Sequence, residues 1–374
     1  MIYADYAATA GMRPTEVIDA VAEALAHPGN AGRGAHSQAL AAGRSMYEAR
    51  RSIAELFDAG RPEQVAFTSG ITESLNTVIK GVLRPGDHVV TTYAEHNSVL
   101  RPLYEMEERG VEIDITDPVP DAIAQACKKN TRMVVMTHGS NVTGDVYDIH
   151  ATGRYCRQHG ILFCVDSAQT AGTIPVSVRA DSIDFLCFTG HKGLLGPQGT
   201  GGIVLGCEEE IHPLKTGGSG IFSFARTMPE AFPEHLEAGT QNIPGIAGLA
   251  EGVRFLLQQD MKQLAHDKIN LAKQFYSGIK DCDNLIFYGQ YRDWNRRTPI
   301  VSLNLADYSA GEVCDELERR FGIATRGGAH CAPLMHIHCG TKEQGIVRFS
   351  FGYGTTEEDI MTCSRAIQIL AEEG

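Results

Sequence analysis

Short apolar runs recur along the first two thirds of this sequence, with helical stretches between most of them. That alternation constrains the fold more than any other feature. The runs are QVAFT (64–68), HVVTT (88–92), VEIDI (111–115), RMVVMTH (132–138), ILFCVD (161–166), DFLCFTG (184–190) and GGIVLG (201–206). Amphipathic stretches at 43–58, 72–82, 97–109, 119–129 and 148–159 lie between them. Apolar strands separated by amphipathic helices imply an α/β fold with a mostly parallel central sheet covered on both faces.

The tail reads differently. One long helix (245–281), a strand near 299–305, a helix near 310–320, a strand near 347–350 and a closing helix from 356 predict a smaller α+β domain. The expected division is a large domain over 15–256 and a small one made of 1–14 with 257–374. A length of 374 residues suits two domains.

Composition narrows the partners. A net charge of -13 argues against nucleic acid and anionic membranes, which attract basic surfaces. The opening MIYADYAATAG lacks the pattern of a signal peptide, and no apolar run has the ~18 residues of a membrane span, so the expected location is the cytoplasm. Ten cysteines stand singly without a C-x-x-C pair, and most are expected to be free thiols.

Two strand ends carry the chemistry. In CVDSAQ (164–169), Asp166 follows apolar residues where the backbone leaves the sheet. A buried acid there suits the pyridine nitrogen of pyridoxal 5'-phosphate (PLP), because it stabilises the protonated, electron-withdrawing ring. Gln169, one turn on, can donate to the ring hydroxyl oxygen. In FTGHKGLLGPQG (188–199), Lys192 sits in a glycine-bounded turn after an apolar strand. Burial disfavours its charge, and a Schiff base removes that cost. A solvent-facing loop lysine is the plainer alternative, and the upstream Asp-x-x-Gln argues against it.

With these residues the sequence resembles fold-type I, class V aminotransferase-type PLP enzymes, and among them the cysteine desulfurase/selenocysteine lyase family, in its SufS-like H-C-A-P loop branch. The resemblance runs from YADYAAT at residue 3 to RFSFGYGTTEEDI ending at 360. It implies that Lys192 carries the cofactor as a Schiff base, Asp166 pairs with the pyridinium nitrogen and Gln169 contacts the ring hydroxyl. In TSGITESLN (68–76), Gly70, Ile71 and Thr72 would hold the phosphate at a helix start, helped by Thr189 and His191. His96 in AEHNSVLRP would stack on the ring and move protons, and Asn141 in HGSNVTG would contact the ring hydroxyl and the substrate carboxylate. Thr240 in EAGTQN would reach the partner subunit's phosphate, which implies a homodimer with shared active sites. Arg33 and His36 in NAGRGAHS would border the entrance.

The reaction is read from ATRGGAHCAPLMH (324–336), a Gly-rich loop expected to be mobile, with Cys331 near its middle. It resembles the signature of the SufS-like desulfurases, with Arg326 matching that loop's arginine. Arg348 in VRFSFGYGTTEED fits the family arginine that clamps the substrate carboxylate through its planar fork. The resemblance implies that Cys331 attacks the sulfur of L-cysteine, becomes a persulfide and leaves alanine, with His330 and nearby cations favouring the thiolate. A sulfur-acceptor protein would then collect the persulfide. The alternatives are a selenocysteine lyase acting on L-selenocysteine, a slow sulfur carrier that needs a partner, and an aminotransferase. His330, Cys331, His336, His338 and Cys339 also suggest a zinc site, but their spacing matches no compact zinc pattern, and no metal is expected.

Overall fold

A computed structural model describes residues 1–374 except 28, 32, 33, 307 and 374. After strand β1 (Ile2–Tyr3), helices α1 (Thr15–Ala26) and α2 (Ser37–Leu56) lead into the alternating region. It comprises β2 (Val65–Thr68), α3 (Ile71–Val82), β3 (His88–Thr92), α4 (Asn97–Glu108), β4 (Glu112–Thr116), α5 (Pro120–Ala126) and β5 (Thr131–Thr137). α6 (Ile149–His159), β6 (Leu162–Asp166), β7 (Phe185–Thr189) and β8 (Gly201–Leu205) follow. All seven expected strands form one sheet, in the order β2-β8-β7-β6-β5-β3-β4, and only β8 opposes its neighbours.

Side chains alternate across a strand, so each central strand feeds two cores. Val134 and Met136 of β5, Phe163 and Val165 of β6, and Leu186 and Phe188 of β7 pack on one face. Their neighbours Met133, Val135, Leu162, Cys164, Phe185 and Cys187 pack on the other. That double burial is why these strands read as continuous apolar runs. The parallel strands also point their C-terminal ends the same way, which gathers the polar residues after them along one rim.

The rest of the chain forms α7 (Ile243–Leu257), α8 (Met261–Ile279), β9 (Leu285–Tyr288), β10 (Ile300–Leu305), α9 (Ala310–Phe321) and β11 (Ile323–Ala324). β12 (Arg326–Gly328), α10 (Pro333–Cys339), β13 (Ile346–Ser350) and α11 (Glu357–Glu373) complete it. The single helix expected over 245–281 is two, α7 and α8. Asp260 ends the continuity by accepting from the backbone N–H groups of Lys262 and Gln263, a cap that starts a new helix. A third core joins Ala272, Phe275 and Ile279 of α8 to Val301, Leu303, Val347 and Phe349 of the antiparallel sheet β12-β13-β10-β9. The N-terminal segment is stitched to this layer, with β1 pairing β11 and Ser350 N–H donating to Ala4 O at 2.8 Å. No described helix is long and apolar enough to cross a membrane.

Candidate active site

Five of the predicted site elements follow the C-terminal ends of β2, β3, β5, β6 and β7. Gly70 follows β2, His96 β3, Asn141 β5 and Lys192 β7, while Asp166 closes β6 itself. Asp166 is 3% exposed and takes the Ala168 N–H on Oδ1 at 2.9 Å. Burial pushes its carboxyl above the ordinary range, and Lys192 opposes that shift. Burial first, then Arg348, pushes the Lys192 ammonium down to about 8, while Asp166 holds it up. An amine near neutrality can both bond covalently to a carbonyl and carry a proton.

His96 is the N-cap of α4, and its Nδ1 accepts from Ser98 N–H at 3.0 Å. The ring proton therefore sits on Nε2. Burial and then Lys192 push this histidine down to about 4, so the ring that flanks the cleft is neutral.

At the start of α3, Gly70 has φ +153°, a backbone conformation that a side chain would strain. The turn leaves the first N–H groups of α3 without helical partners. Thr68 Oγ1 pairs with Ser74 Oγ at 2.8 Å and fixes the turn, while the Thr72 side chain stays exposed at its mouth. Thr189 Oγ1 donates to Thr200 O at 3.5 Å, just before β8. The His191 ring pairs with Thr9 Oγ1 at 3.1 Å, so one nitrogen is already engaged by the N-terminal segment.

Asn141, Arg348 and the cysteine turn form one hydrogen-bonded unit. Asn141 Nδ2 donates to His330 O at 2.7 Å, and Arg348 Nη1 donates to Asn141 O at 2.8 Å. Arg348 Nη2 donates to Asp5 Oδ1 at 2.8 Å, and its buried Nε has no partner among the described residues. Cys331 O accepts Asn97 N–H at 2.7 Å, directly beside His96. His330 and Cys331 both hold left-handed φ values, +47° and +56°, and the Cys331 side chain is exposed. The segment expected to be a mobile loop is therefore pinned: Gly327 and Gly328 pair with β13, two carbonyls are held, and α10 begins two residues after Cys331.

One further expectation changes. His330 is expected, with nearby cations, to favour the thiolate, which needs a positive charge. It is 7% exposed, its Nε2 donates to Ile346 O at 2.9 Å, and burial pushes it down to about 3, so it is neutral. Gln169 Nε2 donates to Ala7 O at 3.1 Å, which commits part of the amide to the N-terminal segment.

Arg326 lies on β12, exposed and directly across from Arg348. His36 caps α2 through Nδ1, and Arg33 lies outside the described residues. Thr240 lines a surface pocket with Arg50, Gly218 and Glu237, separate from Lys192. Among the described residues no three His, Cys, Asp or Glu side chains converge to hold a metal. The loop histidines are engaged elsewhere: His336 pairs with Thr341 Oγ1 at 2.9 Å, and His338 stacks on Tyr93 at 4.1 Å.

Sequence reasoning missed Asp5 and Glu95. Glu95 is fully buried, accepts from Thr92 Oγ1 at 2.7 Å and Thr137 N–H at 3.0 Å, and is pushed up to about 8 by burial. An acid beside His96 at a buried strand end was a readable signal. Asp5 offered none, because its partner is 343 residues away.

A buried acid, a lysine of lowered basicity, a neutral imidazole and a helix start with open N–H groups form a donor set that fits a phosphorylated pyridine aldehyde. The unpartnered Arg348 Nε fits a carboxylate beside it.

Residues 2–362 match the aminotransferase class-V family. A probable cysteine desulfurase of Methanothermobacter thermautotrophicus is 33% identical over 386 residues, covering 100% of this chain and 95% of its own length. A cysteine desulfurase of Escherichia coli O157:H7 is 32% identical, covering 96% of this chain and 91% of its own. The apo structure of a cysteine desulfurase from Thermococcus onnurineus NA1 superposes with a TM-score of 0.91 at 29% identity, covering 100% of this chain and 95% of that one. An Escherichia coli cysteine desulfurase in an S-sulfonic acid form gives 0.87 at 26% identity, covering 99% and 94%.

Proposed function

We propose, from the premise that this chain belongs to the aminotransferase class-V family and within it to the cysteine desulfurases, that it converts L-cysteine to L-alanine and keeps the sulfur as a persulfide on Cys331. One observation carries the reading: the exposed Cys331 sits on a turn bonded to the same elements that hold His96, Asn141 and Arg348.

The family is PLP-dependent, and PLP supplies an electron sink for charge developing at the amino acid's Cα. Lys192 would hold the cofactor covalently through Nζ, with Asp166 at the ring nitrogen, His96 against the ring and the N–H groups at Gly70, Ile71 and Thr72 on the phosphate. Asn141 and Gln169 each keep donor capacity for the ring hydroxyl.

Arg348 presents Nε–H to the substrate carboxylate. Lys192 Nζ, with its basicity lowered to about 8, takes the Cα proton. Cys331 Sγ then forms a bond to the substrate sulfur while the substrate Cβ–Sγ bond breaks. That electron pair stays on the three-carbon fragment, which takes up one proton at Cβ, regains one at Cα from Lys192 Nζ and leaves as alanine. Because Cys331 is exposed, the persulfide is open to a thiol or an acceptor protein. Thr240, outside its own cleft, would serve the partner's phosphate in a homodimer.

The test measures alanine release from L-cysteine and L-selenocysteine, with and without a thiol reductant, for the wild type and Cys331→Ala. The variant is expected to lose cysteine turnover by roughly 10²-fold or more and to keep selenocysteine turnover. If cysteine turnover survives in Cys331→Ala, the persulfide step is wrong. If only selenocysteine is consumed, the enzyme is a selenocysteine lyase.

A further inference from the structure

We propose that a small cavity behind Lys192 is a binding site for a halide-sized monovalent anion, held by the Lys268 ammonium. Helix α8 carries Lys268 into the interior, where it is 6% exposed. Its Nζ reaches a single recorded partner, Gly172 O, at 3.4 Å. The cavity it enters is lined by Lys192, Gln169, Thr173 and Thr298, with Tyr6 and Tyr353 at one side. Two amines therefore border one space, the Tyr6, Thr298 and Ser350 hydroxyls donate to carbonyls elsewhere, and no Asp or Glu is among the described residues that line it.

A buried ammonium with one long contact to a carbonyl costs several kcal/mol unless it loses its proton or gains a counter-charge. Burial pushes Lys268 down to about 8, so at neutral pH most molecules still carry the charge. A counter-ion is the remaining solution, and size decides which. The cavity measures ≈40 Å³, room for roughly three waters. A halide fits that space. The proposed cofactor phosphate site lies at the start of α3, among residues that do not line this cavity. Thr298 Oγ1 already donates to Gly144 O at 3.1 Å, which leaves Lys268 Nζ as the main donor to the anion.

The site lies next to the catalytic loop. Gly172, whose carbonyl Lys268 touches, packs backbone to backbone on Gly193, and a Cβ at Gly172 would lie 2.4 Å from Gly193 O. An anion here would therefore offset the charge of Lys268 beside Gly193, the residue next to Lys192.

Crystals of the holoenzyme soaked in sodium bromide test this directly by anomalous diffraction. A bromide peak within hydrogen-bonding distance of Lys268 Nζ is expected in the wild type and absent in Lys268→Met. Water alone in the wild type, or bromide retained in the variant, overturns the proposal. In solution, the Tm change on replacing sulfate with bromide at equal ionic strength is expected to be more positive in the wild type than in Lys268→Met by roughly 2 °C, because the general effect of sulfate cancels between the two proteins. An equal change in both proteins also overturns it. If that variant does not fold, the wild-type anomalous map decides alone.

Discussion

Arg348 is 2% exposed and has Asp5 on one side and the Asn141 carbonyl on another, so its fork is partly spent before any substrate arrives. The ionic partner neutralises a charge that would otherwise be buried alone, and it fixes the plane of the guanidinium while leaving Nε as the donor without a partner among the described residues. Asp5→Asn is therefore expected to raise KM for L-cysteine roughly tenfold, about 1.4 kcal/mol, while kcat stays within about twofold. Asp5→Glu should recover part of the loss. An unchanged KM in Asp5→Asn would show that Asp5 does not orient the clamp. Arg348 itself was legible because VRFSFGYGTTEED resembles the family segment whose arginine clamps the substrate carboxylate. Asp5 was not, since a lone acid in an N-terminal segment reads as solvated until the fold brings it to β13. The charge assigned to His330 failed for a related reason: its sequence neighbours are glycine, alanine and cysteine, and only the packing under β13 removes it from water.

Between elements, Glu95 ties β3 to β5 by accepting from Thr92 and Thr137 at adjacent strand ends. Its second oxygen, Oε2, is buried without a partner. Burial raises its carboxyl from 4.5 to about 8. The folded state therefore keeps a proton that the unfolded chain loses, so this contribution to stability is complete below the unfolded value and disappears as pH rises through about 8. Glu95→Gln removes the titration. Its Tm is expected to match the wild type within about 1 °C near pH 5 and to exceed it by roughly 2–5 °C near pH 9. A difference that does not vary with pH would mean that Glu95 does not titrate in this window. The cysteine segment shows the limit of local reading at the same scale. ATRGGAH has the composition of a flexible loop, yet Arg326, Gly327 and Gly328 pair with β13, and Asn97 and Asn141 hold the next two carbonyls. None of those partners is near in sequence. The helix pair α7 and α8 failed differently, because Gln258–Asp260 carries no proline or glycine and the break rests on a side-chain cap at Asp260.

At the scale of the whole molecule, the proposed dimer makes a prediction that no single chain can satisfy. If Thr240 serves the partner's cofactor phosphate, a heterodimer of Lys192→Ala and Thr240→Ala subunits has one site with both defects and one with neither. Mixing the two inactive proteins under exchange conditions should restore alanine release, and no recovery would mean that each site is built from one chain. The sequence by itself determined the α/β class, the seven strands of the main sheet and the residues that follow their C-terminal ends. Those features are local: a strand buried on both faces must be apolar, and the first polar residues beyond it are confined to the rim. What only the tertiary structure decided is how the rim is wired. Asp5 reaches Arg348, the cysteine turn is fixed instead of mobile, His330 is neutral, and Lys268 enters a cavity without an acid. Each depends on groups from 16 to 343 residues apart sharing one environment, and desolvation there, which no stretch of sequence displays, sets their charges.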